Sequence, residues 1–238
     1  MGKVGEQQSG GRGRVPAIIA IDGPGAAGKS AVGSRLARRL RYRFVDTGSM
    51  YRALTWLALR KGVDPQDEEA VAALAAATSM QVEMGSPSAP DECTVRVNGL
   101  DATAHLRSPE VEAAVSWVSR VARARRVMVE VQRRLAGEGR VVMAGRDIGT
   151  VVLSEADLKV YLDASPEVRA RRRHEELAAL GQPASLEGIR QDLARRDDID
   201  SSRETSPLKP AADATVIDTN DLTLDEVVQQ VLSLTRCE

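Results

Sequence analysis

The densest chemistry in this chain of 238 residues lies in Gly23-Pro24-Gly25-Ala26-Ala27-Gly28-Lys29-Ser30, followed by Ala31. The spacing Gly-x-x-x-x-Gly-Lys-Ser suits a loop whose backbone N–H groups turn toward an anion. Small residues permit that turn, and a helix starting after it points its positive end at the same place. Lys29 is then placed to reach the β- and γ-phosphates of ATP, and Ser30 to offer its hydroxyl to the Mg²⁺ that bridges them. Three Arg/Asp segments suggest a second anionic substrate: Asp46-Thr47-Gly48-Ser49-Met50-Tyr51-Arg52, Gly145-Arg146-Asp147-Ile148-Gly149-Thr150, and Arg195-Arg196-Asp197-Asp198-Ile199-Asp200-Ser201-Ser202-Arg203. The first also reads as a capped helix start, and the third as a solvated charge run.

The elements around these segments are expected to bring them together. Ala17–Ile21 is a short β-branched run ending at the glycine loop, as a buried parallel strand would. Val32, Leu36 and Leu40 give 31–40 the period of an amphipathic helix. Strands are expected at 43–46, 80–84, 94–97, 140–144, 158–162 and 215–218, with a turn at Asn98-Gly99. Helices are expected at 50–61, 68–78, 110–135 with one break, 166–180, 186–196 and 224–234. Strands alternating with helices predict an α/β fold with a doubly wound parallel sheet, carrying an antiparallel insertion near 80–106. The second Arg/Asp segment follows a strand at its C-terminal end, where open α/β sheets bind ligands.

Bulk composition narrows the class. The net charge of −1 provides no field for nucleic acid or an anionic membrane. One Phe, two Trp and three Tyr offer little for stacking on single strands. Two cysteines, Cys93 and Cys237, have no metal-ligand spacing and suit a reduced, cytoplasmic setting. No run reaches the length of a membrane span, and residues 1–15 read as a disordered leader without an apolar signal core. An Asn-Lys-x-Asp base-reading segment, as in a GTPase switch, does not occur, nor does an apolar strand ending in Asp-Glu, as in a motor.

The three segments together resemble those of the bacterial cytidylate kinases, from about Ala17 to the C-terminus. The most specific matches are Asp46-Thr47-Gly48-x-Met50-Tyr51-Arg52, Gly145 to Val152, and Arg196-Asp197-Asp198-x-Asp200-Ser201-x-Arg203. The last continues into Pro207-Leu208 and Ala212-Asp213-Ala214. The resemblance implies ATP-dependent phosphorylation of CMP and dCMP. It also implies a P-loop kinase core (16–46, 140–165, 211–238), a monophosphate-binding subdomain (47–135) and a helical lid (166–205). Thr47, Arg52, Arg125, Arg146 and Asp147 would line the acceptor pocket, with Asp46, Tyr51 and Gly145 beside them. Arg196, Asp200 and Arg203 would read base, sugar and phosphate. Arg169, Arg172 and Arg173 would close over ATP, with Lys29, Arg146 and Arg172 supplying charge to the transferred group. A monomer is expected.

Several positions depart from that family's pattern. Ala26 stands where glycine is usual, and alanine at a positive φ is strained. Ala31 replaces a usual threonine, Ser49 a common alanine, Ala122 a proline, and Ile199 a frequent arginine. Trp56, Trp117, His105 and His174 read as packing or surface residues, and Ser116 as an open case. The competing functions are another small-acceptor kinase (adenylate, uridylate or shikimate), which generally lacks the insertion, and a nucleotide-dependent switch. A nucleic-acid binder is a third reading, opposed by the charge and the scarce aromatics.

Overall fold

A computed structural model describes residues 16–86, 88–90 and 93–235. The expected leader and Cys237 lie outside them. The chain begins with Ile18–Asp22 (β1), Lys29–Leu40 (α1), Arg43–Asp46 (β2), Thr47–Arg60 (α2) and Glu68–Ala76 (α3). Met80–Glu83 (β3), Thr94–Val97 (β4) and Leu100–Asp101 (β5) follow, then Pro109–Arg120 (α4) and Ala122–Ala136 (α5). Val141–Ala144 (β6), a π-helical turn at Ile148–Val152, Leu158–Asp163 (β7), Pro166–Ala179 (α6), Leu186–Ser201 (α7), Thr215–Asp218 (β8) and Leu224–Leu234 (α8) complete it.

The main sheet has the order β2-β6-β1-β7-β8 with every neighbouring pair parallel. Its central strands β1 and β6 are almost wholly buried because both faces are covered. Ile19 and Ile21 of β1 join Val142 and Ala144 of β6 in one cluster, under Val32 and Leu36 of α1 and Val228 and Val231 of α8. The intervening Ala20, Val141 and Met143 join Val129 and Ala136 of α5 on the other face. The parallel order puts the C-terminal ends of β1, β2, β6, β7 and β8 along one edge, and each Arg/Asp or glycine segment begins there or on a helix above it.

A separate apolar cluster lies between α2, α3, β4, α4 and α5, with Leu54, Leu57, Val71, Val95, Val97 and Met128 fully or almost fully buried. The antiparallel sheet β3-β4-β5 belongs to this part. Asn98 and Gly99 turn β4 into β5 with φ of 51° and 77°, the left-handed pair a two-residue hairpin requires. A fourth, small cluster of Ala170, Ile189 and Leu193 holds α6 against α7. Ser165 and Ser185 cap these two helices through Val168 and Gly188 N–H.

Some boundaries differ from the expected ones. α2 starts at Thr47, three residues early, because Asp46 Oδ1 accepts from Gly48 N and caps it. The expected long helix over 110–135 breaks at Val121, whose backbone is extended. α7 continues to Ser201, so the charged run from Arg195 is largely helical and Arg196 and Asp200 share a face. Among the described residues no helix is long and apolar enough to cross a membrane.

Candidate active site

The glycine loop joins β1 to α1 as its sequence requires. Gly23 has φ 145°, and a Cβ there would meet Leu162 O at 2.1 Å, so no other residue fits. Ala26 adopts φ 59°, the strained left-handed conformation expected of it, at a cost of about 1 kcal/mol. Its methyl packs on the Ala170–Ile189–Leu193 cluster, a contact glycine could not make. Lys29 is buried and donates from Nζ to Pro24 O at 2.5 Å. Burial, and then the nearby Arg146 guanidinium, hold its ammonium well below the usual lysine range.

Ser30 Oγ donates to Asp46 Oδ2 at 2.7 Å. The Asp46 carboxylate thus caps α2 with one oxygen and meets the phosphate loop with the other. Burial alone would raise its pKa, but Arg52 and the Ser30 hydroxyl outweigh that and keep it below the ordinary value. A hydroxyl beside an ionised carboxylate is a hard-oxygen pair that fits Mg²⁺. Ser30 and Asp46 are therefore the groups of this chain that would hold the metal together with nucleotide phosphates.

The acceptor segments converge across the same edge. Thr47 Oγ1 donates to Ala144 O at 2.9 Å. Gly145 follows at once, where a Cβ would lie 2.7 Å from that hydroxyl and 2.5 Å from Ile148 Cδ1. Arg125 Nη2 donates to Asp147 Oδ2 at 2.5 Å, and Arg125 Nη1 to Ser119 O at 3.0 Å. The same guanidinium lies over the Tyr51 ring, 5.3 Å from its centroid, and burial pushes the Tyr51 phenol up to about 12. Asp200 accepts from Arg146 Nε at 2.9 Å and from Arg203 Nη2 at 2.7 Å. One carboxylate of α7 therefore aligns the arginine after β6 with the one ending the Arg/Asp run.

A residue outside the three Arg/Asp segments is the hub of the positive charge. Glu112, in the first turn of α4, accepts from Arg52 Nε at 2.6 Å and Arg196 Nη1 at 3.0 Å. Arg196 Nη2 also donates to the Glu112 carbonyl. Arg173 and Arg107 stand 3.5 Å and 3.8 Å from the carboxylate. Burial works against ionisation there, yet Arg52 and Arg196 hold Glu112 down at about 2. Arginines gathered this closely need a counter-charge, and that need is the signal that points to Glu112.

The arginines of α6 separate into three environments. Arg172 donates to Thr219 Oγ1 at 3.0 Å and to Thr219 O at 2.5 Å, at the end of β8. Arg173 pairs with Glu176 at 2.8 Å, on the Glu112 side. Arg169 is buried behind the loop, bound to Gly25 O, Ala164 O and Asp197. A cleft of ≈ 450 Å³ is lined by every expected site residue except Gly23, Pro24 and Arg169. Ser116 and Ser119 line it too, as do Arg107, Glu112, Thr219, Leu222 and Leu224, which the sequence did not single out as a site. Trp56 stacks on His105 at 5.3 Å, and neither residue lines the cleft.

A family model described as cytidylate kinase matches residues 19–237. The cytidylate kinase of Geobacillus kaustophilus is 51% identical over 216 residues, 91% of this chain and 95% of that protein. Those of Roseiflexus castenholzii and Pelotomaculum thermopropionicum are 49% and 46% identical over 92% and 90% of this chain, and 93% and 94% of their own lengths. Among solved structures, a shikimate kinase from Bacteroides thetaiotaomicron covers 93% of this chain and 99% of its own at 14% identity. Its TM-score of 0.48 is too low to bear on function. Sequence match and cleft agree, and the chain belongs to the cytidylate kinase family.

Proposed function

We propose that this nucleoside monophosphate kinase transfers the terminal phosphoryl group of ATP to CMP and dCMP, giving CDP and dCDP. One observation carries the reading: the acceptor-side Arg146 reaches the phosphate loop, its Nη2 lying 3.5 Å from where a Cβ on Gly25 would stand. Donor and acceptor phosphates held by those two segments meet in one cleft.

Gly23 to Ala31 would cradle the ATP phosphates, with Lys29 on the transferred group and Arg172 at the Thr219 end of the cleft. Arg52 and Arg196, braced by Glu112, face the acceptor's phosphate. Arg125, Asp147, Asp200 and Arg203 present paired donors and acceptors to the cytidine, whose exocyclic amine needs an acceptor and whose O2/N3 edge needs donors. Mg²⁺ at Ser30 and Asp46 would neutralise charge shared by the ATP phosphates.

An oxygen of the CMP phosphate forms the new P–O bond as the bond to ADP breaks. That oxygen is already anionic, so no side chain has to take a proton. Catalysis then consists of alignment and charge neutralisation, by Lys29 and Arg146 above all. Closure of 166–205 over 47–135 would exclude water as a competing acceptor. The proposed state is a monomer. The cytoplasm is the proposed setting, where nucleotide pools reside.

The test is ADP release with CMP, dCMP, UMP and AMP offered in turn. Turnover with CMP and dCMP well above the other two is expected. A preference for AMP, or ADP release indifferent to acceptor, would overturn the reading.

A further inference from the structure

Asp22 has no role in the reaction described above. It ends β1, one residue before the phosphate loop, and is 4% exposed. Its Oδ1 accepts from Ile148 N and its Oδ2 from Gly149 N, each at 2.7 Å. These two amides open the π-helical turn directly after Arg146 and Asp147. A Cβ on Gly149 would lie 3.3 Å from Asp22 Oδ2 and 3.1 Å from Lys159 Cδ. The backbone has thus come as close to the carboxylate as a residue without a side chain allows.

We infer that Asp22 is a positioning residue: its two oxygens set the 145–149 segment, and through it Arg146 and Asp147, in register with the phosphate loop. This inference rests on the reading of that segment as acceptor site. The two strands concerned, β1 and β6, are neighbours in the sheet, but pairing between strands ends at Ala144. Beyond it, the side chain of Asp22 takes over the alignment that the ladder gave up.

The charges around Asp22 show what this arrangement demands. Lys29 faces it from α1, Asp147 from the segment it holds, and Tyr161 from β7. Lys159 turns its ammonium to Asp213 at 2.8 Å. Burial pushes the Asp22 carboxyl up to about 6, with Asp147 adding to the rise and the two N–H bonds and Lys29 opposing it. Because the folded pKa lies above the ordinary 3.8, ionised Asp22 works against the fold near neutral pH, and that burden eases as pH falls through about 6.

Asp22→Asn keeps the size but leaves one acceptor for two N–H donors. It is expected to raise the KM for CMP about tenfold or more, with the ATP KM and the thermal midpoint at pH 7.5 held or the midpoint raised. A CMP KM close to wild type overturns the inference, and so does a parallel rise in both KM values with a lowered midpoint. Arg146→Ala is measured alongside. If it too leaves the CMP KM unchanged, the acceptor reading itself has failed; if it raises that KM while Asp22→Asn does not, only the inference has. Should Asp22→Asn fail to fold, Asp22→Glu is measured instead: a raised CMP KM with the ATP KM held supports the inference, and an unchanged CMP KM overturns it.

Discussion

Glu112 Oε1 lies 2.6 Å from Arg52 Nε, and the other oxygen of that carboxylate lies 3.0 Å from Arg196 Nη1 on α7. One buried carboxylate of α4 therefore ties α2 to α7. Four arginines surround it at 4 Å or less. With Glu112 in place they form a constellation that a phosphate can join without first forcing like charges together.

Glu112→Gln should lower stability at neutral pH by about 2–3 kcal/mol. The folded pKa, about 2, lies below the ordinary 4.5, so the contribution is complete above about pH 5 and lost as pH falls through 2. Urea unfolding of both proteins at pH 7 and pH 3 checks this. The gap should shrink at the lower pH, and an equal gap at both would show that the charge is not its source.

Lys29→Ala should reduce kcat by about 100-fold or more and leave the fold intact. A buried ammonium whose pKa is pulled down by burial and Arg146 adds no stability that its removal would forfeit. Steady-state kinetics with a circular dichroism spectrum are the measurement. Full activity in this variant would remove Lys29 from the mechanism.

Ala26→Gly should stabilise the protein modestly, by about 0.5–1 kcal/mol. Relief at φ 59° exceeds both the added freedom of glycine in the unfolded chain and the small loss of contact with the lid cluster. Thermal unfolding reads this directly. A lower midpoint would mean that the methyl's packing on Ala170, Ile189 and Leu193 outweighs the strain.

Ala122→Pro should be stabilising by about 0.5–1 kcal/mol. Ala122 is the first residue of α5, where a missing N–H costs nothing, and Val121 before it is already extended at φ −66° and ψ 110°. The comparison is again of thermal midpoints. A drop would show that the α4–α5 joint moves between substates a proline cannot share.

Much of the architecture could be read from local pattern. The strands β2, β4 and β8 and the helix α8 fall where their short apolar runs begin and end, with alternate residues buried in β4, only Ile217 buried in β8 and one face buried in α8. Arg196, Asp200 and Arg203 could be picked out as a motif, and Arg196 falls at the end of the expected helix 186–196, but the continuation of that helix through Asp200 could not be read. Only Ile189 and Leu193 supply apolar periodicity in α7, too little to carry a helix prediction through a charged run. Glu112 was hidden for a different reason. A carboxylate in a helix's first turn is ordinary on dipole grounds, while its partners come from 60 and 84 residues away in the chain. Asp22 was hidden likewise, as the polar end of an apolar strand whose partners lie more than a hundred residues on.

The division of the apolar residues into clusters has a consequence for how such a chain can change. The cluster under the acceptor cleft and those flanking the main sheet share no buried member. The helix α5 nevertheless serves both sides, with Met128 and Val131 in the first cluster, Val129 and Ala136 in one that flanks the sheet and Leu135 touching each. A substitution along that helix is therefore felt on both sides of the cleft, and changes in one half of the molecule are constrained by the other through this shared element.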